Sequence, residues 1–404
     1  MAGIVGTSNG ARALRVAVAA ALAASLAALL AAASPAKAKP AIAVVSAAPT
    51  GGRIAVKVRI AAAPAKARWR LRVDGKAVAT LPVRTKAAAT PFLAPGDHVV
   101  QAQLVTAKGA SVAKSASRPA HVDAVVAVAG DISCDPTDPN YAGTGSECHQ
   151  RQTAALLAQT RYHAVFTLGD EQYECGSLDG FTTSYASTWG KYKSITYPTP
   201  GDHEYGTTKL NCPKGTNAAG YYTYWGPRAG APGQGWYSFD LGGWHVVVLN
   251  SNCIDIGGCG AGSVEEQWLA ADLAAHPATC TLAYWHEPRF TSAFAGDNPS
   301  MDAFWRDLYA AHVDLVLNGH AHVYERFVPQ NPDGVAAPDG ITEIIAGTGG
   351  RSLSGFQPAP EPTSSARGTA YGILQLSLGA GGFRWRFVPE AGASFADAGS
   401  AACH

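Results

Sequence analysis

Six apolar runs that each end abruptly in glycine or a polar residue constrain the fold of residues 123–404 more than any other feature. They read DAVVAVAGD, HAVFTLGD, WHVVVLNSN, TLAYWHEP, VDLVLNGHAH and TEIIAGTGG. Helical periodicity lies between several of them, near 149–160, 181–192, 263–275 and 299–311. Strands that alternate with helices predict an α/β domain with largely parallel central strands. In such sheets, functional residues collect beyond the carboxyl ends of the strands, where the polar residues of these runs stand.

A different pattern occupies residues 41–117. Short alternating apolar runs, AIAVV, IAVKVRI, RWRLRV and HVVQAQLV, are separated by the turn signals PTGG, DGK and APGD. Roughly six short strands in so small a segment predict a β-sandwich of the immunoglobulin or fibronectin-III type. We therefore expect a small all-β domain over residues 39–120 and an α/β domain over residues 121–404.

The first 38 residues have the pattern of an export signal. Arg12 and Arg15 precede an Ala/Leu/Val run over residues 16–33, and an A-x-A sequence follows that ends at Ala38. A basic segment, an apolar segment and such a site are the parts of a Sec-type signal peptide. We predict cleavage near Ala38 and a secreted mature chain. No later apolar run reaches the roughly 18–20 residues that a membrane span needs.

The chain has eight cysteines, all beyond residue 130. An even count in an exported protein predicts disulfides, and the absence of CxxC argues against a zinc knuckle. Cys253 and Cys259 bracket a Gly-rich loop, and we expect them to pair. The sequence leaves the connectivity of the other six open. One possible set is Cys134–Cys148, Cys175–Cys212 and Cys280–Cys403.

Five clusters of Asp, His and Tyr share the placement at strand ends. They are AVAGDISCD with Asp131, TLGDEQY with Asp170 and Tyr173, PTPGDHEYG with Asp202, His203 and Glu204, AYWHEPRF with His286, and NGHAHVYER with His320 and His322. Each cluster alone has an ordinary explanation as a turn cap or a hydrogen-bonded core residue, which is how we interpret His245. Burying so many carboxylates and imidazoles together without cations would cost several kcal/mol per unpaired charge. Together the clusters therefore predict a site for two metal ions.

The order GD, GDxxY, GDHE, WHxP and GHxHxYER resembles that of the calcineurin-like metallophosphoesterases, and most of all their purple acid phosphatase branch and its secreted bacterial relatives. The resemblance covers about residues 123–400, including GTGGRS and WRFVPEAGASF. It implies a four-layer α/β/β/α sandwich. Members of the purple branch often carry a fibronectin-like N-terminal domain, which agrees with residues 41–117.

The resemblance also implies a role for each matching residue. Seven side chains would hold two metal ions: Asp131, Asp170, Tyr173, Asp202, His286, His320 and His322. Asp170 would bridge the ions, Asp131, Tyr173 and His322 would complete the first site, and Asp202, His286 and His320 the second. His203 matches the residue that contacts phosphate and assists the leaving group. Because a phenolate favours a hard ion, the implied pair is Fe(III) with a divalent ion, Zn, Mn or Fe.

Local geometry suggests why two histidines stand two apart in this chain. In an extended segment, residues two apart point to the same side. We therefore expect His320 and His322 to continue the preceding strand and to face the site together.

Two positions depart from the family pattern. Asp202 stands where the family usually has Asn, so the ligand set carries one more negative charge. Glu287 stands where many bacterial relatives have a second His. Glu287 and Arg289 are candidate contacts to the substrate, and Glu287 could instead orient a metal ligand. Glu204 and Glu325 are expected to hydrogen-bond nearby loops.

The expected function is a secreted phosphatase that hydrolyses small phosphate monoesters with a hydroxide activated by two metal ions. A phosphodiesterase or nucleotidase of the same fold is the alternative, because the motifs do not distinguish the two. A secreted binding protein with a decayed metal site is disfavoured, since no expected ligand has become apolar.

Charge is divided unevenly along the chain. Residues 39–120 contain 14 basic and 2 acidic residues, whereas residues 121–404 contain 14 basic and 28 acidic ones. The basic domain could face the acidic one, which we favour, or could contact an anionic surface. Nucleic acid is expected at most as a substrate, because only Trp69 and Phe92 would offer stacking surfaces among the basic residues.

Overall fold

The structure is a computed structural model that describes residues 37–206, 212 and 216–404. Residues 1–36, which include nearly all of the predicted signal peptide, lie outside the described residues, so the signal peptide stays a prediction. Among the helices that are described, none is both long enough and apolar enough to cross a membrane.

Residues 41–122 form two small sheets. Their strands are β1 Ala41–Thr50, β2 Arg53–Ala61, β3 Arg68–Val73, β4 Lys76–Pro82, β5 Ala87–Ala89, β6 Gly96–Val105, β7 Ser111–Lys114 and β8 Arg118–Val122. One sheet has the order β1-β2-β5, and the other has the order β4-β3-β6-β7 with β8 also paired to β6. Side chains alternate in burial along β3, where Trp69, Leu71 and Val73 face a core shared by both sheets. The expected N-terminal all-β region is confirmed. The division into domains near residue 120 stays a prediction.

The remaining described residues form thirteen strands and seven α-helices. The strands are β9 Ala124–Ala129, β10 Ala164–Leu168, β11 Thr196–Thr199, β12 Tyr237–Leu241, β13 Trp244–Val248, β14 Cys280–Tyr284, β15 Leu315–Asn318, β16 Tyr324–Phe327, β17 Thr342–Ala346, β18 Ser364–Gly368, β19 Gly372–Gly379, β20 Gly382–Pro389 and β21 Ala398–Ala402. The α-helices are α1 Gln150–Leu157, α2 Leu178–Thr183, α3 Asp202–Tyr205, α4 Ala219–Trp225, α5 Cys253–Ile256, α6 Val264–Ala275 and α7 Asp302–Ala310. Short 3-10 helices occupy Tyr185–Ser187, Trp189–Ile195, Gly226–Ala229 and Pro299–Met301.

These strands form two mixed sheets. The six-stranded sheet has the order β11-β10-β9-β19-β20-β21, and the seven-stranded sheet has the order β12-β13-β14-β15-β17-β16-β18. Strands β9, β10 and β11 are parallel, as are β13, β14, β15 and β17, whereas β12, β16 and β18 to β21 pair antiparallel. The parallel centre is therefore as predicted, and antiparallel strands extend each sheet.

The two sheets pack face to face. Their shared core includes Val126, Phe166 and Leu374 from one sheet and Val246, Leu282 and Leu317 from the other. Helices α1, α2 and α4 pack on the outer side of the six-stranded sheet. Helices α6 and α7 pack on the outer side of the seven-stranded sheet. The four-layer α/β/β/α sandwich is thus confirmed. The predicted helix over residues 181–192 is only partly α-helical, because α2 ends at Thr183 and 3-10 turns follow.

The all-β region meets the α/β layers at Phe92 and Leu93. The Phe92 ring stacks on His163 at 4.2 Å and lies 4.6 Å from the Arg161 guanidinium. His163 Nε2 lies 2.8 Å from the Leu93 carbonyl oxygen. These contacts are aromatic and hydrogen-bonded rather than ionic, so the favoured interpretation of matched charges gains no support from them.

Four disulfides staple the α/β layers, and no cysteine among the described residues is free. The predicted Cys253–Cys259 bond is confirmed. The other three pairs are those of the possible set: Cys134–Cys148, Cys175–Cys212 and Cys280–Cys403.

Candidate metal centre

The parallel strands of both sheets deliver their polar ends to one place. Asp131 and Asp170 follow β9 and β10, and Asp202 opens α3 three residues after β11. His286 follows β14, and His320 follows β15. Because each of these side chains leaves the core at the carboxyl end of a strand, they meet at a common edge of the two sheets.

Three of the predicted ligands form a first group. Asp131, Asp170 and His322 each place one potential ligand atom within 4.8 Å of the others. His322 Nε2 is 3.1 Å from Asp131 Oδ1. The Tyr173 hydroxyl donates to Asp131 Oδ1 at 2.9 Å and lies 2.9 Å from His322 Nε2. Tyr173 therefore belongs to this group.

A second group consists of Asp202, His286 and His320, whose potential ligand atoms also lie within 4.8 Å of one another. Asp202 Oδ1 is 3.0 Å from His286 Nε2 and 3.3 Å from His320 Nδ1. His286 Nε2 is also 3.4 Å from Asp170 Oδ2. Asp170 thus reaches both groups, which is the position that a bridging carboxylate requires.

Backbone and hydroxyl groups fix the orientation of two imidazoles. His286 Nδ1 lies 2.7 Å from the Leu168 carbonyl oxygen, and His322 Nδ1 lies 2.8 Å from Ser352 Oγ. Because the Leu168 carbonyl can only accept, His286 Nδ1 donates this hydrogen bond, and Nε2 faces the site. Such hydrogen bonds to the far nitrogen are typical of metal-binding histidines.

The local backbone shows that the expected extension of the strand through both histidines is wrong. Strand β15 ends at Asn318, and His320 and His322 have φ values of 64° and 51°. Asp131 and Asp170 also adopt positive φ values, 61° and 49°. Non-glycine residues enter this left-handed region at a cost, and such strain concentrates at functional sites. The side chains converge because tight turns, rather than a continuing strand, present them.

Two glycines allow the clusters to approach one another. A Cβ atom on Gly169 would lie 2.5 Å from His286 Nδ1, and one on Gly201 would collide with the Asp170 carboxylate. The glycines that precede Asp170 and Asp202 therefore each make room for a predicted ligand that comes from another strand.

The pKa values of buried groups at this site are strongly shifted by burial and by their charged neighbours. Burial acts to raise the pKa of Asp202, but hydrogen bonds from His286 and His320 hold it well below its usual range. Burial acts to lower the pKa of His286, but Asp170 and Asp202 raise it well above its usual range. Burial and the negative charge of Asp131 raise the pKa of Tyr173 well above 10. Protons thus take the place of positive charge in a buried, oxygen- and imidazole-rich cluster, and this donor set fits two metal ions.

Comparisons with known proteins agree with the resemblance that the sequence motifs indicate. No protein-family model matches the chain. It is 35% identical to purple acid phosphatase 22 of Arabidopsis thaliana over 157 residues, which cover 35% of this chain and 34% of that protein. It is 33% identical to purple acid phosphatase 21 of the same plant over 152 residues, with coverage of 35% and 34%. The chain thus spans about a third of the length of the curated relatives it matches.

A solved structure extends the likeness to most of the chain. The purple acid phosphatase PPD1 from seeds of yellow lupin, Lupinus luteus, superposes with a TM-score of 0.56 at 16% identity, covering 90% of this chain and 74% of that one. The chain therefore resembles purple acid phosphatases in sequence over about a third of its length, and it shares the fold of the lupin enzyme. The resemblance and the fold class are therefore confirmed.

His203 lies beside the two groups of potential metal ligands. Its backbone N–H donates to Asp170 Oδ1 at 3.0 Å, and its Nδ1 lies 2.6 Å from the Glu174 carbonyl oxygen. Its Nε2 is 3.8 Å from Asp170 Oδ2, and its ring packs 4.1 Å from that of Tyr173. The ring is therefore held by Nδ1 and presents Nε2 towards the site.

The two candidate substrate contacts are placed differently. Glu287 and His320 line a cavity of about 320 Å³ next to the metal groups, and the Glu287 carboxylate accepts a hydrogen bond from Asn298 at 2.5 Å. Arg289 is not among the residues that line this cavity, and its guanidinium lies 3.5 Å from Asp302 and 4.0 Å from Asp297. The structure thus brings Glu287, but not Arg289, to the cavity.

Sequence reasoning missed the side chain that lies over Tyr173. The Arg351 guanidinium is 5.4 Å from the centre of the Tyr173 ring and pairs with Glu174 at 2.6 Å and Glu147 at 2.9 Å. Ser352, the next residue, holds His322. The segment GTGGRS contains both residues, but nothing in its composition says which of them reach the site.

Glu204 and Glu325 behave as expected. The Glu204 carboxylate accepts hydrogen bonds from the backbone N–H groups of Asp170, Gln172 and Gly201 at 2.8–3.1 Å. The Glu325 carboxylate accepts hydrogen bonds from Thr291, Ser292 and Ser364. His245, interpreted as a hydrogen-bonded core residue, is buried and contacts Asp240 and Asp272.

Proposed function

We propose that the chain is a metal-dependent phosphatase that hydrolyses small phosphate monoesters. The observation that supports this most is the pair of three-residue groups, Asp131/Asp170/His322 and Asp202/His286/His320, which share contacts through Asp170. The first ion would be held by the first group with Tyr173, and the second ion by the second group with Asp170. When bound, two such ions supply Lewis acidity to the phosphate oxygens and lower the pKa of water from 15.7 towards about 7.

The chain's own residues would carry the remaining work. His286 Nδ1 donates a hydrogen bond to the Leu168 carbonyl oxygen, so the ring would offer Nε2 to the metal as a neutral imidazole. His203 Nδ1 donates to the Glu174 carbonyl oxygen, so Nε2 faces the site, and when the ring is protonated it could donate to the departing alkoxide oxygen. Proton donation from such a positioned side chain contributes typically 10²–10⁴-fold. No residue needs to form a covalent bond to phosphorus.

Tyr173 supports Fe(III) as one of the two ions, with Zn, Mn or Fe as the divalent partner. A phenol whose pKa is raised by burial and by Asp131 ionises only if a strongly charged cation replaces its proton. A phenolate is a hard ligand and suits a high-valent ion.

Metal analysis with a visible spectrum tests this proposal. We expect two metal ions per chain and a tyrosinate–Fe(III) charge-transfer band that Tyr173→Phe abolishes. Tyr221→Phe is the matched control, because Tyr221 is equally buried and its hydroxyl has no hydrogen-bond partner among the described residues. A band that persists in Tyr173→Phe would remove Tyr173 from the ligand set. Paired assays on a monoester and a diester of the same alcohol would then show whether the phosphodiesterase alternative holds.

Asp202 provides a pH-dependent prediction. Asp202→Asn keeps an oxygen that can accept from His286 and His320 but removes one negative charge. The site then favours ionisation of the attacking water at a lower pH, so the pH optimum of hydrolysis is expected to move downward. Asp255→Asn, which removes the same charge from the wall of the neighbouring cavity, is the control. An unchanged optimum in Asp202→Asn would contradict the proposed effect of the additional carboxylate.

We also propose that the chain is exported. Four disulfides support this, because such bonds persist in oxidising compartments. Amino-terminal sequencing of protein recovered from the culture medium should begin after Ala38.

A further inference from the structure

A second cluster of potential metal ligands lies far from the site described above. His245 is the second residue of β13, and Asp272 and His276 lie one helical turn apart at the end of α6. One potential ligand atom from each of the three lies within 4.8 Å of the other two. His245 is at the amino end of β13, whereas the candidate metal centre is beyond the carboxyl ends of the parallel strands. Three further strand residues, at roughly 3.3 Å each, lie between His245 and the carboxyl end of β13.

The distances suit a small divalent cation. Asp272 Oδ2 is 2.9 Å from His245 Nε2, and Asp272 Oδ1 is 3.2 Å from His276 Nδ1. Zinc bonds of about 2.0–2.1 Å in a tetrahedral site place neighbouring ligand atoms about 3.3 Å apart. The carboxylate and the two nitrogens would therefore need to move only slightly to bind one ion.

Hydrogen bonds behind the cluster hold its members in this orientation. His245 Nδ1 is 3.1 Å from Asp240 Oδ1, so a carboxylate faces the far nitrogen of the imidazole that points at the cluster. The Ser238 hydroxyl donates to Asp272 Oδ1 at 2.8 Å. A carboxylate on the far nitrogen of a histidine, together with a hydrogen-bonded carboxylate ligand, is the support that protein zinc sites use.

Solvent can reach the cluster from one side. His245 and Asp272 are buried, but the His276 side chain is half exposed. His276 also lines a cavity of about 690 Å³ together with Asp307, His312 and His404. Three protein ligands would therefore leave a fourth position open towards this cavity, and an ion could enter without any change in the core.

We propose that His245, Asp272 and His276 form a separate binding site for one zinc ion or a similar divalent transition metal. Two imidazoles and one carboxylate match the preferences of zinc and not those of calcium or magnesium, which take oxygen ligands. An ion pair that only packs α6 against β13 would explain the contact between His245 and Asp272. His276 Nδ1 lies 2.9 Å from the Asp272 carbonyl oxygen as well as 3.2 Å from its carboxylate, so it would exchange the contact with the carbonyl for the ion.

Zinc analysis of the full chain tests this proposal. Wild-type protein and His276→Ala are dialysed against the same buffered zinc solution, and bound zinc is measured per chain. We expect the wild type to hold one more zinc ion than His276→Ala, with equal phosphatase activity in both. His312→Ala, which changes another histidine of the same cavity, should bind as much zinc as the wild type. Equal zinc in the wild type and His276→Ala would overturn the proposal.

The result does not depend on the proposed phosphatase activity. Any zinc that enters the candidate metal centre is the same in the wild type and in His276→Ala, since His276 lies outside both of its ligand groups. A second variant, His245→Gln, removes a ligand that is buried and should also lose one zinc ion. Retention of the full zinc content by both variants would leave no role for this cluster.

Discussion

Asp170→Asn is expected to lower the hydrolysis of a phosphate monoester by roughly 10³-fold or more under every metal condition, because stabilisation of several kcal/mol is lost with the bridging charge. Asp170 is the side chain that contacts both ligand groups: His286 Nε2 lies 3.4 Å from its Oδ2, and it shares the first group with Asp131 and His322. Steady-state kinetics with added Fe, Zn or Mn would measure the loss, and metal analysis should show less than the full complement.

The choice of Asn separates this effect from a folding defect. Asp170 has a φ of 49°, and Asn tolerates this left-handed conformation better than Ala does. The Asn side-chain oxygen can still accept the His203 N–H that Asp170 Oδ1 accepts at 3.0 Å. Asp74→Asn is the matched control, since Asp74 has the same φ of 49° and lies in the all-β region. Wild-type turnover in Asp170→Asn would refute the bridging role.

The ends of the strands could be predicted because they carry two signals at once. An apolar run such as AVFTL predicts a buried strand, and the GD that follows marks where the chain leaves the core. The parallel order of β9, β10 and β11 then brings Asp131, Asp170 and Asp202 to one edge. Local pattern and topology agree there, so the strand-end pattern predicts that these three carboxylates lie at one edge, whereas the role of each ligand came from the family resemblance.

The turns after the strands could not be predicted in the same way. His320 and His322 were expected to extend β15, but the strand ends at Asn318 and both residues adopt left-handed conformations. The contacts that stabilise this turn come from distant segments: the His320 N–H donates to Asp131 Oδ2, and His322 pairs with Ser352. Histidine disfavours the left-handed conformation, so the tertiary contacts, and not the local sequence, determine the conformation of these two residues.

The position of Arg351 also could not be predicted from the local sequence. Its partners Glu147 and Glu174 are far from it in sequence, and its position over Tyr173 follows from the loop after β17 rather than from any local pattern. A charged residue in a glycine-rich segment most often faces solvent. The fold alone decides which of these residues reach the site.

Removing the Cys280–Cys403 disulfide is expected to cost far more stability than removing Cys253–Cys259. The first bond closes a segment of 123 residues, whereas the second closes 6. The chain-entropy account of disulfides gives about 5 kcal/mol for the long loop and about 2 kcal/mol for the short one. No other cysteine lies between Cys280 and Cys403, so no second bond shortens this loop.

The position of the Cys280–Cys403 bond adds to the loss of stability expected from the length of the loop that it closes. Cys280 begins β14 in the seven-stranded sheet, and Cys403 directly follows β21, the edge strand of the six-stranded sheet. The bond therefore ties the two sheets together at the end of the sandwich opposite the candidate metal centre. Without it, β21 keeps its pairing with β20, and the neighbouring His404 keeps its contacts with Asp314. The two double variants, with both cysteines of a pair changed to Ala, remove the same number of sulfur atoms and serve as each other's control.

Urea unfolding followed by tryptophan fluorescence would compare the two variants. We expect the free energy of unfolding to fall by about 2–3 kcal/mol more in Cys280→Ala/Cys403→Ala than in Cys253→Ala/Cys259→Ala, since loop entropy grows with the logarithm of loop length. The wild type under reducing conditions should unfold at least as easily as the less stable variant. Equal losses in the two variants would mean that the two sheets remain together without the bond, and that their shared apolar core suffices to align them.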